Sequence, residues 1–528
     1  MNNNNGNNGG SFDNFNFDEV PQTIQPEETP LSGNVGAPAP PDSAPMGIEV
    51  PPSAPGGIPG AAPEIPGMNP EEAFLNAPPP ELTGDLPPIY EESKTKYFII
   101  GGTIIFFILI FAVVLAVFLR KPATNTAAPT PVTLTYWGLW EDKAVMDTVI
   151  ADYKKLNPNI TIKYELMSPK EYRQKLIQRG RNGVGPDIFR FHNTWLPEIQ
   201  DVAAPIPKEI MTNEEFEKTF YPIHKKDLAI GTDYYGIPLT IDGMVMVYND
   251  NLFKKAGITS APSNWIGDLL DDVIKLTVQD KNGDIVTSGI AMGTASNIEH
   301  FAEVYGILLL QNGGSLETLD KKEAVDALKV YREFGEKNIW NDKMPNSVQA
   351  FAEQKVAIII VPSWQILGIK AMNPDIPLKV APVPRGLDGK PLSLASYWVE
   401  GVSKFSKNQV EAWKFLKYTS QKDSQEKLFA AQTKIRQFGS AYSRVDLKPL
   451  IEQDPILGPI VQQSDYYQTL PIAGRTFDAG LNDENIAYLQ NAINSTTTGV
   501  SYEEALKTAH TGITQVLNKY KIQTAPAQ

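Results

Sequence analysis

The chain has no cysteine among its 528 residues. That excludes disulfides and thiolate metal sites. Basic charge is not concentrated anywhere. Lys and Arg number 47 against 61 Asp and Glu, for a formal net charge of −14. No nucleic-acid partner is expected, because that recognition rests on clustered cations. Phosphate-cradling loops are missing too: neither G-x-G-x-x-G nor G-x-x-x-x-G-K-[ST] occurs. Dinucleotides and nucleoside triphosphates are therefore poor ligand candidates. His192 has no H-x-x-x-H spacing beside it, so no metal is expected there, and no cofactor is expected elsewhere. No repeat is visible at solenoid periods.

What is present divides into three physically different parts. Residues 1–96 open with MNNNNGNNGG and continue rich in Pro, Gly and Ala. They hold 14 carboxylates against Lys94 and Lys96, and so carry −12 of the −14. Such apolar-poor sequence cannot offset the entropy of ordering, so a disordered acidic tail is expected. Tyr97–Leu119 (YFIIGGTIIFFILIFAVVLAVFL) is 23 uncharged residues, long enough for a single transmembrane helix. Its distance from the N-terminus argues against a cleavable signal peptide. Lys94 and Lys96 balance Arg120 and Lys121, so charge alone leaves the orientation open. Residues 120–131, with PATNTAAPTP, read as a short stiff stalk. The remaining 397 residues, 132–528, are too many for one ordinary domain and suit two lobes.

This third part alternates strand and helix. Val132–Tyr136 reads as a strand and Glu141–Asn157 as a helix with Val145, Met146, Val149, Ile150, Tyr153 and Leu156 on one face. Ile160–Leu166 alternates as a second strand. Ser168-Pro169-Lys170-Glu171 has the form of a capping box and predicts a helix start. Ile188–Phe191 is a third strand. This order implies right-handed crossovers and a parallel sheet covered on both faces. Ala324–Phe334, Gln409–Tyr418 and Tyr502–Tyr520 read as helices, and Val356–Val361 as a buried strand. Trp137, Trp265, Trp340 and Trp413 read as core.

The most informative stretch is Tyr235–Trp265, YGIPLTIDGMVMVYNDNLFKKAGITSAPSNW. Pro238 keeps Ile237 extended. Met244–Tyr248 is an unbroken apolar run, the pattern of a strand buried on both faces. Asn249-Asp250 turns the chain, Leu252–Ala256 makes a short helix, and Gly257 ends it. This order, with its YNDNLFKKAG core and the Trp that follows a Pro, resembles the extracellular solute-binding proteins of ABC importers, in their maltose-binding-like, sugar-binding branch. The resemblance covers nearly all of 132–520. It implies an α/β, two-lobed periplasmic-binding-protein-like fold (type II) with hinge crossovers over 132–522. One lobe would take about 132–240 and 400–445, the other about 243–396 and 450–522. It also implies a role: a monomer, anchored with its tail in the cytoplasm and its domain outside, captures a carbohydrate and delivers it to ABC permease subunits. No catalysis is implied. With no cysteine for the lipid anchor of many bacterial relatives, the transmembrane helix would replace it.

A sugar site pairs flat aromatics with planar hydrogen-bonding groups. Candidates therefore follow strand ends, where open α/β sheets bind ligands. Trp140 and Glu141 close the first strand turn; a lid over the first helix and a favourable charge at its N-terminus are their plainer readings. His192 and Asn193 follow Gly185-Pro186-Asp187, a lead-in like the family's. Thr194-Trp195 stands where maltose-type members carry an acidic-basic pair, which speaks against maltodextrin. By resemblance Asp242 faces the ligand from the crossing segment; a bond to hinge backbone is the alternative. Asn297 and Glu299 precede the apolar run from Phe301, and Asn297 also fits a helix cap. Trp364, after the strand Val356–Val361, sits where the family stacks a Trp on sugar. Trp398 lies near the third crossing, beside Tyr397, and one of that pair must be packed. Arg436 falls in a loop that touches ligand in relatives.

Two other functions compete. A glycosidase would need paired carboxylates, for which Asp242 and Glu299 are the available pair. A sensor would use the same domain to signal through the membrane helix. The pairs Tyr234-Tyr235 and Tyr466-Tyr467 raise iron binding, but Tyr234-Tyr235 leads straight into the crossing strand and reads as structural. Pro87-Pro88-Ile89-Tyr90 resembles a WW-domain ligand, a match that Pro-rich sequence produces by chance.

Overall fold

The computed structural model describes residues 110–111, 130–386 and 388–522. The acidic tail, the stalk through position 129 and all of the 97–119 segment except Ile110 and Phe111 lie outside the described residues. Among the described residues, no helix is long and apolar enough to cross a membrane.

Two five-stranded sheets organise the domain. In the first, Val132–Gly138 lies parallel to Ile160–Leu166 on one side and to Ile188–His192 on the other. The sheet is then extended by Trp398–Val402, which runs antiparallel to Ile188–His192, and by Ile237–Pro238. Within this sheet, parallel crossovers thus build only the part encoded before residue 193. The second sheet holds Met244–Asn249, Ile285–Ile290, Val356–Pro362, Leu378–Ala381 and Val278–Gln279. Met244–Asn249 is antiparallel to both of its neighbours. Every residue of Met244–Asn249 and of Val356–Pro362 is buried, as their unbroken apolar runs require.

Helices cover these sheets. The first, Lys143–Leu156, starts two residues later than its periodicity suggested. Asp142 caps it, accepting from Ala144 N at 2.7 Å. The capping box at Ser168 does not form. The helix begins at Tyr172, because Glu171 takes a left-handed φ of +60° and contributes no side-chain cap. Lys322–Glu336 and Gln409–Thr419 bracket the helices read from sequence, and Tyr502–Lys519 ends one residue short of its reading. Trp265, Trp340 and Trp413 are fully buried.

The chain passes between the sheets three times, and the passages lie side by side. Ile241 N donates to Ala441 O at 3.0 Å, and Ser396 N donates to Asp242 O at 3.0 Å. Gly243 must be glycine here. A Cβ on it would lie 2.5 Å from both Leu394 O and Tyr467 Cε1.

Candidate functional site

A cavity of about 510 Å³ lies where strand ends of the two sheets face the crossing segments. On the first-lobe side, Trp137 ends its strand inside the fold, and the turn after it projects Trp140. Trp140 holds a left-handed φ of +66°, uncommon for a non-glycine residue, and its ring is about half exposed. Trp398 lies behind it at a centroid distance of 5.9 Å, with His192 at 5.2 Å and Trp195 at 5.3 Å. Neighbouring Tyr397 is the packed member of the pair: it is buried, and its hydroxyl donates to Asp227 Oδ2 at 2.8 Å.

Polar groups on this side are tightly partnered. Glu400 lies directly across the strand register from Arg190, and their side chains pair at 2.5–2.6 Å. Burial pushes the Glu400 carboxyl up, and Arg190 opposes that rise. Glu141 accepts from Gln432 Nε2 at 2.5 Å and lies 3.8 Å from Arg436. Arg436 itself donates to Ser440 Oγ at 2.7 Å and Phe438 O at 3.1 Å.

His192 is buried and bonded at both ring nitrogens: Nδ1 to Thr194 Oγ1 at 2.8 Å, Nε2 to Ser396 Oγ at 3.1 Å. Nδ1 also accepts from Thr194 N, so the ring proton belongs on Nε2. Burial depresses its pKa to about 3, so the ring stays neutral.

Asp242 lines the cavity from the first crossing. Its carboxylate accepts from Gly243 N at 2.7 Å, Ser363 N at 3.2 Å and Trp364 N at 3.3 Å. Burial pushes its pKa up to about 6, and these N–H groups limit the rise. Asp242 thus lines the cavity and at the same time binds hinge-adjacent backbone. Trp364 is exposed to the cavity, with His300 at a centroid distance of 5.7 Å. Glu299 pairs with Arg475 and accepts from Asn346 Nδ2 at 2.9 Å. Burial alone would raise its pKa, but these bonds outweigh it and hold the carboxyl below its ordinary value.

The cavity thus gathers Trp140, Glu141, His192, Asp242, Glu299, Trp364, Trp398 and Arg436. Asn193 and Asn297 do not line it. The Asn193 amide donates to Asp227 Oδ2 at 2.9 Å and accepts from Tyr397 N at 3.1 Å. Asn297 donates to Asn341 O and Met344 O and accepts from Thr294 and Trp340. Nor does Asn297 cap a helix; His300 occupies that place before Phe301–Gln311. Sequence reasoning missed Arg475 and Phe477, which line the second-lobe side. They lie in a loop with no strand end before it, so no pattern marked them. Among the described residues, no cluster of three or more His, Cys, Asp or Glu could hold a metal.

Two five-stranded sheets joined by adjacent crossing segments, with a ligand-sized cavity beside them, define the class. The chain belongs to the bacterial extracellular solute-binding protein family, whose model matches residues 137–426. The chain is 27% identical over 276 residues to a Brucella abortus protein named as a binding protein with no ligand specified. That match covers 51% of this chain and 66% of the relative, just under two thirds of its length. A maltotriose-binding protein of Pyrococcus abyssi is 26% identical over 289 residues, covering 52% of this chain and 59% of the relative. In structure, the chain is similar to the sugar-binding protein MalE of Xanthomonas citri. The TM-score is 0.61 at 18% identity, over 74% of this chain and 98% of that one. At that identity the likeness shows the fold alone: two domains, α/β.

Proposed function

We propose that this chain is a membrane-anchored, extracellular solute-binding protein that captures a carbohydrate and delivers it to an ABC importer. The observation that carries the reading is the cavity between the lobes. Trp140 and Trp398 face it from one side and Trp364 from the other, with Glu141, His192, Asp242, Glu299 and Arg436 between. Flat apolar faces beside planar hydrogen-bonding groups suit a sugar's C–H faces and hydroxyls. Binding proteins of this family that are named for maltotriose, and neighbours crystallised with sugars, support the same class.

The lobes are read as about 132–240 with 400–445 and about 243–396 with 450–522. The protein works as a monomer, with residues 97–119 as its anchor and the stalk spacing the domain from the bilayer. The acidic tail is cytoplasmic. Protease added to intact cells should then remove the domain and spare the tail; digestion of the tail alone would reverse the topology.

No catalytic step is proposed. Asp242 and Glu299 have their pKa values pushed apart, as an acid–base pair would need. Yet Asp242 is engaged by three backbone N–H groups and Glu299 by Arg475 and Asn346. The test is a carbohydrate panel run against the full-length chain by thermal shift and calorimetry, with product analysis. One carbohydrate should raise the melting temperature and be recovered intact. Hydrolysed product would make the protein a glycosidase. Stabilisation by amino acids or peptides alone would discard the carbohydrate reading. A tail of 96 residues, more than capture requires, favours a second reading, in which the same domain signals across the membrane. Uptake that survives deletion of residues 1–90 would leave that tail free for signalling.

A further inference from the structure

Loop 474–480 brings Phe477 to the cavity in a conformation that needs support. Arg475, Phe477 and Ala479 hold φ values of +62°, +56° and +47°. Non-glycine residues keep such backbone only where their surroundings over-determine it. The pattern is alternate: Thr476, Asp478 and Gly480 are buried, while Arg475, Phe477 and Ala479 are exposed.

Part of the support comes from the same lobe. Gly474 N donates to Glu303 Oε1 at 2.6 Å, and Arg475 pairs with Glu299. The Asp478 carboxylate accepts from Gly480 N and Asn482 N, both at 3.0 Å. The rest comes from the opposite lobe. Arg173 Nε donates to Asp478 O at 2.8 Å and lies 3.3 Å from Glu198 Oε2. Glu198 Oε1 accepts from Leu481 N at 2.9 Å, and Asn482 Nδ2 donates to Thr194 Oγ1 at 2.7 Å. Gly480 permits this approach. A Cβ on it would lie 2.4 Å from Glu198 Oε1, 2.7 Å from Arg173 Nη2 and 2.9 Å from the Tyr520 hydroxyl.

We propose that this contact between lobes is a positioning device. It sets Phe477 against Trp140, in a tilted ring contact at a centroid distance of 6.1 Å, and makes Phe477 a selectivity residue for pyranose rings over acyclic polyols. Phe477 and Trp140 are both exposed and come from opposite lobes, so together they offer a ligand two aromatic faces. A ring with a flat C–H face stacks on this joint aromatic surface, and a flexible chain of equal hydroxyl count does so poorly. Arg173, Glu198 and Gly480 do not line the cavity, so they act on the ligand only through the loop.

The inference rests on the carbohydrate reading, and the test separates the two. The full-length chain is titrated with pyranose sugars, oligosaccharides and the matching polyols. If no sugar binds the wild type, the carbohydrate reading fails and takes this inference with it. If one binds, Phe477→Ala should weaken it about tenfold or more and narrow its preference over the polyol. Gly480→Ala should do nearly the same from outside the cavity. The double variant should be little worse than Phe477→Ala, whereas Gly480→Ala combined with Trp364→Ala should multiply. Should Gly480→Ala fail to fold, Arg173→Met loosens the same contact and carries the same expectation. Wild-type affinity and selectivity in Phe477→Ala, or plain additivity of Phe477 with Gly480, would overturn the proposal.

Discussion

On the first-lobe wall of the cavity, Trp398 is wedged among Trp140, His192 and Trp195, and Arg190 and Glu400 pair across one strand register behind them. On the second-lobe wall, the Trp364 backbone is held by Asp242 of a crossing segment, and the loop of Phe477 is held by Arg173 and Glu198 of the other lobe. The aromatic packing of the first wall comes from its own lobe. The second wall draws part of its backbone support from outside its lobe. A ligand that touches both walls gains from the second only when the lobes are together. That differential contact is what can favour a closed state.

The comparison breaks most sharply at Arg190. Arg190→Ala should leave Glu400 buried without its partner and cost about 3–5 kcal/mol of stability, measured by urea unfolding. A cost under about 1 kcal/mol, the scale of a surface pair, would mean that the first wall does not rely on this pair. Next comes Asp242→Ala, which removes a charged acceptor from three N–H groups. It should weaken ligand binding by about 1.5–3 kcal/mol in calorimetry, with the chain still folded. Trp364→Ala should cost about 2 kcal/mol of binding, as an exposed aromatic anchor would, and leave the melting temperature nearly unchanged. Equal affinity in both variants would move the site elsewhere in the cleft.

The smallest effect is one of pH. Burial first, then Asp478, pushes the Glu198 carboxyl up to about 8, against the pull of Arg173. The folded state therefore keeps a proton that the unfolded chain releases nearer 4.5. Stability from this group is full below the unfolded value and is lost as pH rises through the folded one. Asp242 and Asp227, raised to about 6, finish titrating lower down. Between about pH 7 and pH 8, stability should fall by under about 1.4 kcal/mol per unit, and Glu198→Gln should flatten that slope. A wild-type slope that survives the substitution would assign it to another group.

Strands with unbroken apolar runs were legible because both of their faces are buried; Met244–Asn249 and Val356–Pro362 are the clear cases. Val356–Pro362 has its carboxyl end at the cleft, which is why Trp364 could be picked out from its place in the chain; Met244–Asn249 runs antiparallel to it and leaves the cleft. The helix start at Tyr172 was not legible. The motif at Ser168 is local, and the left-handed turn at Glu171 that displaced it answers to packing. Asn193 and Asn297 show the same limit in another form. Each stands beside cavity residues in sequence, but its amide is spent on Asp227 and Tyr397 or on Asn341 and Met344. Side-chain type tells what a residue can bond, and only the fold tells which bonds are already made.

By itself the sequence determined the alternation of strand and helix, the family resemblance carried by Tyr235–Trp265, and the aromatic residues at strand ends. These follow from periodicity and turn chemistry, which act over a few residues. Tertiary structure decided the antiparallel addition of Trp398–Val402 to the first sheet, the buried pairing of Arg190 with Glu400, and the loop that presents Phe477. These depend on residues more than 200 positions apart, such as Arg190 with Glu400 and Arg173 with Asp478. No local preference encodes such contacts. They form because burying a charge or a left-handed turn is tolerable only once its distant partner is in place.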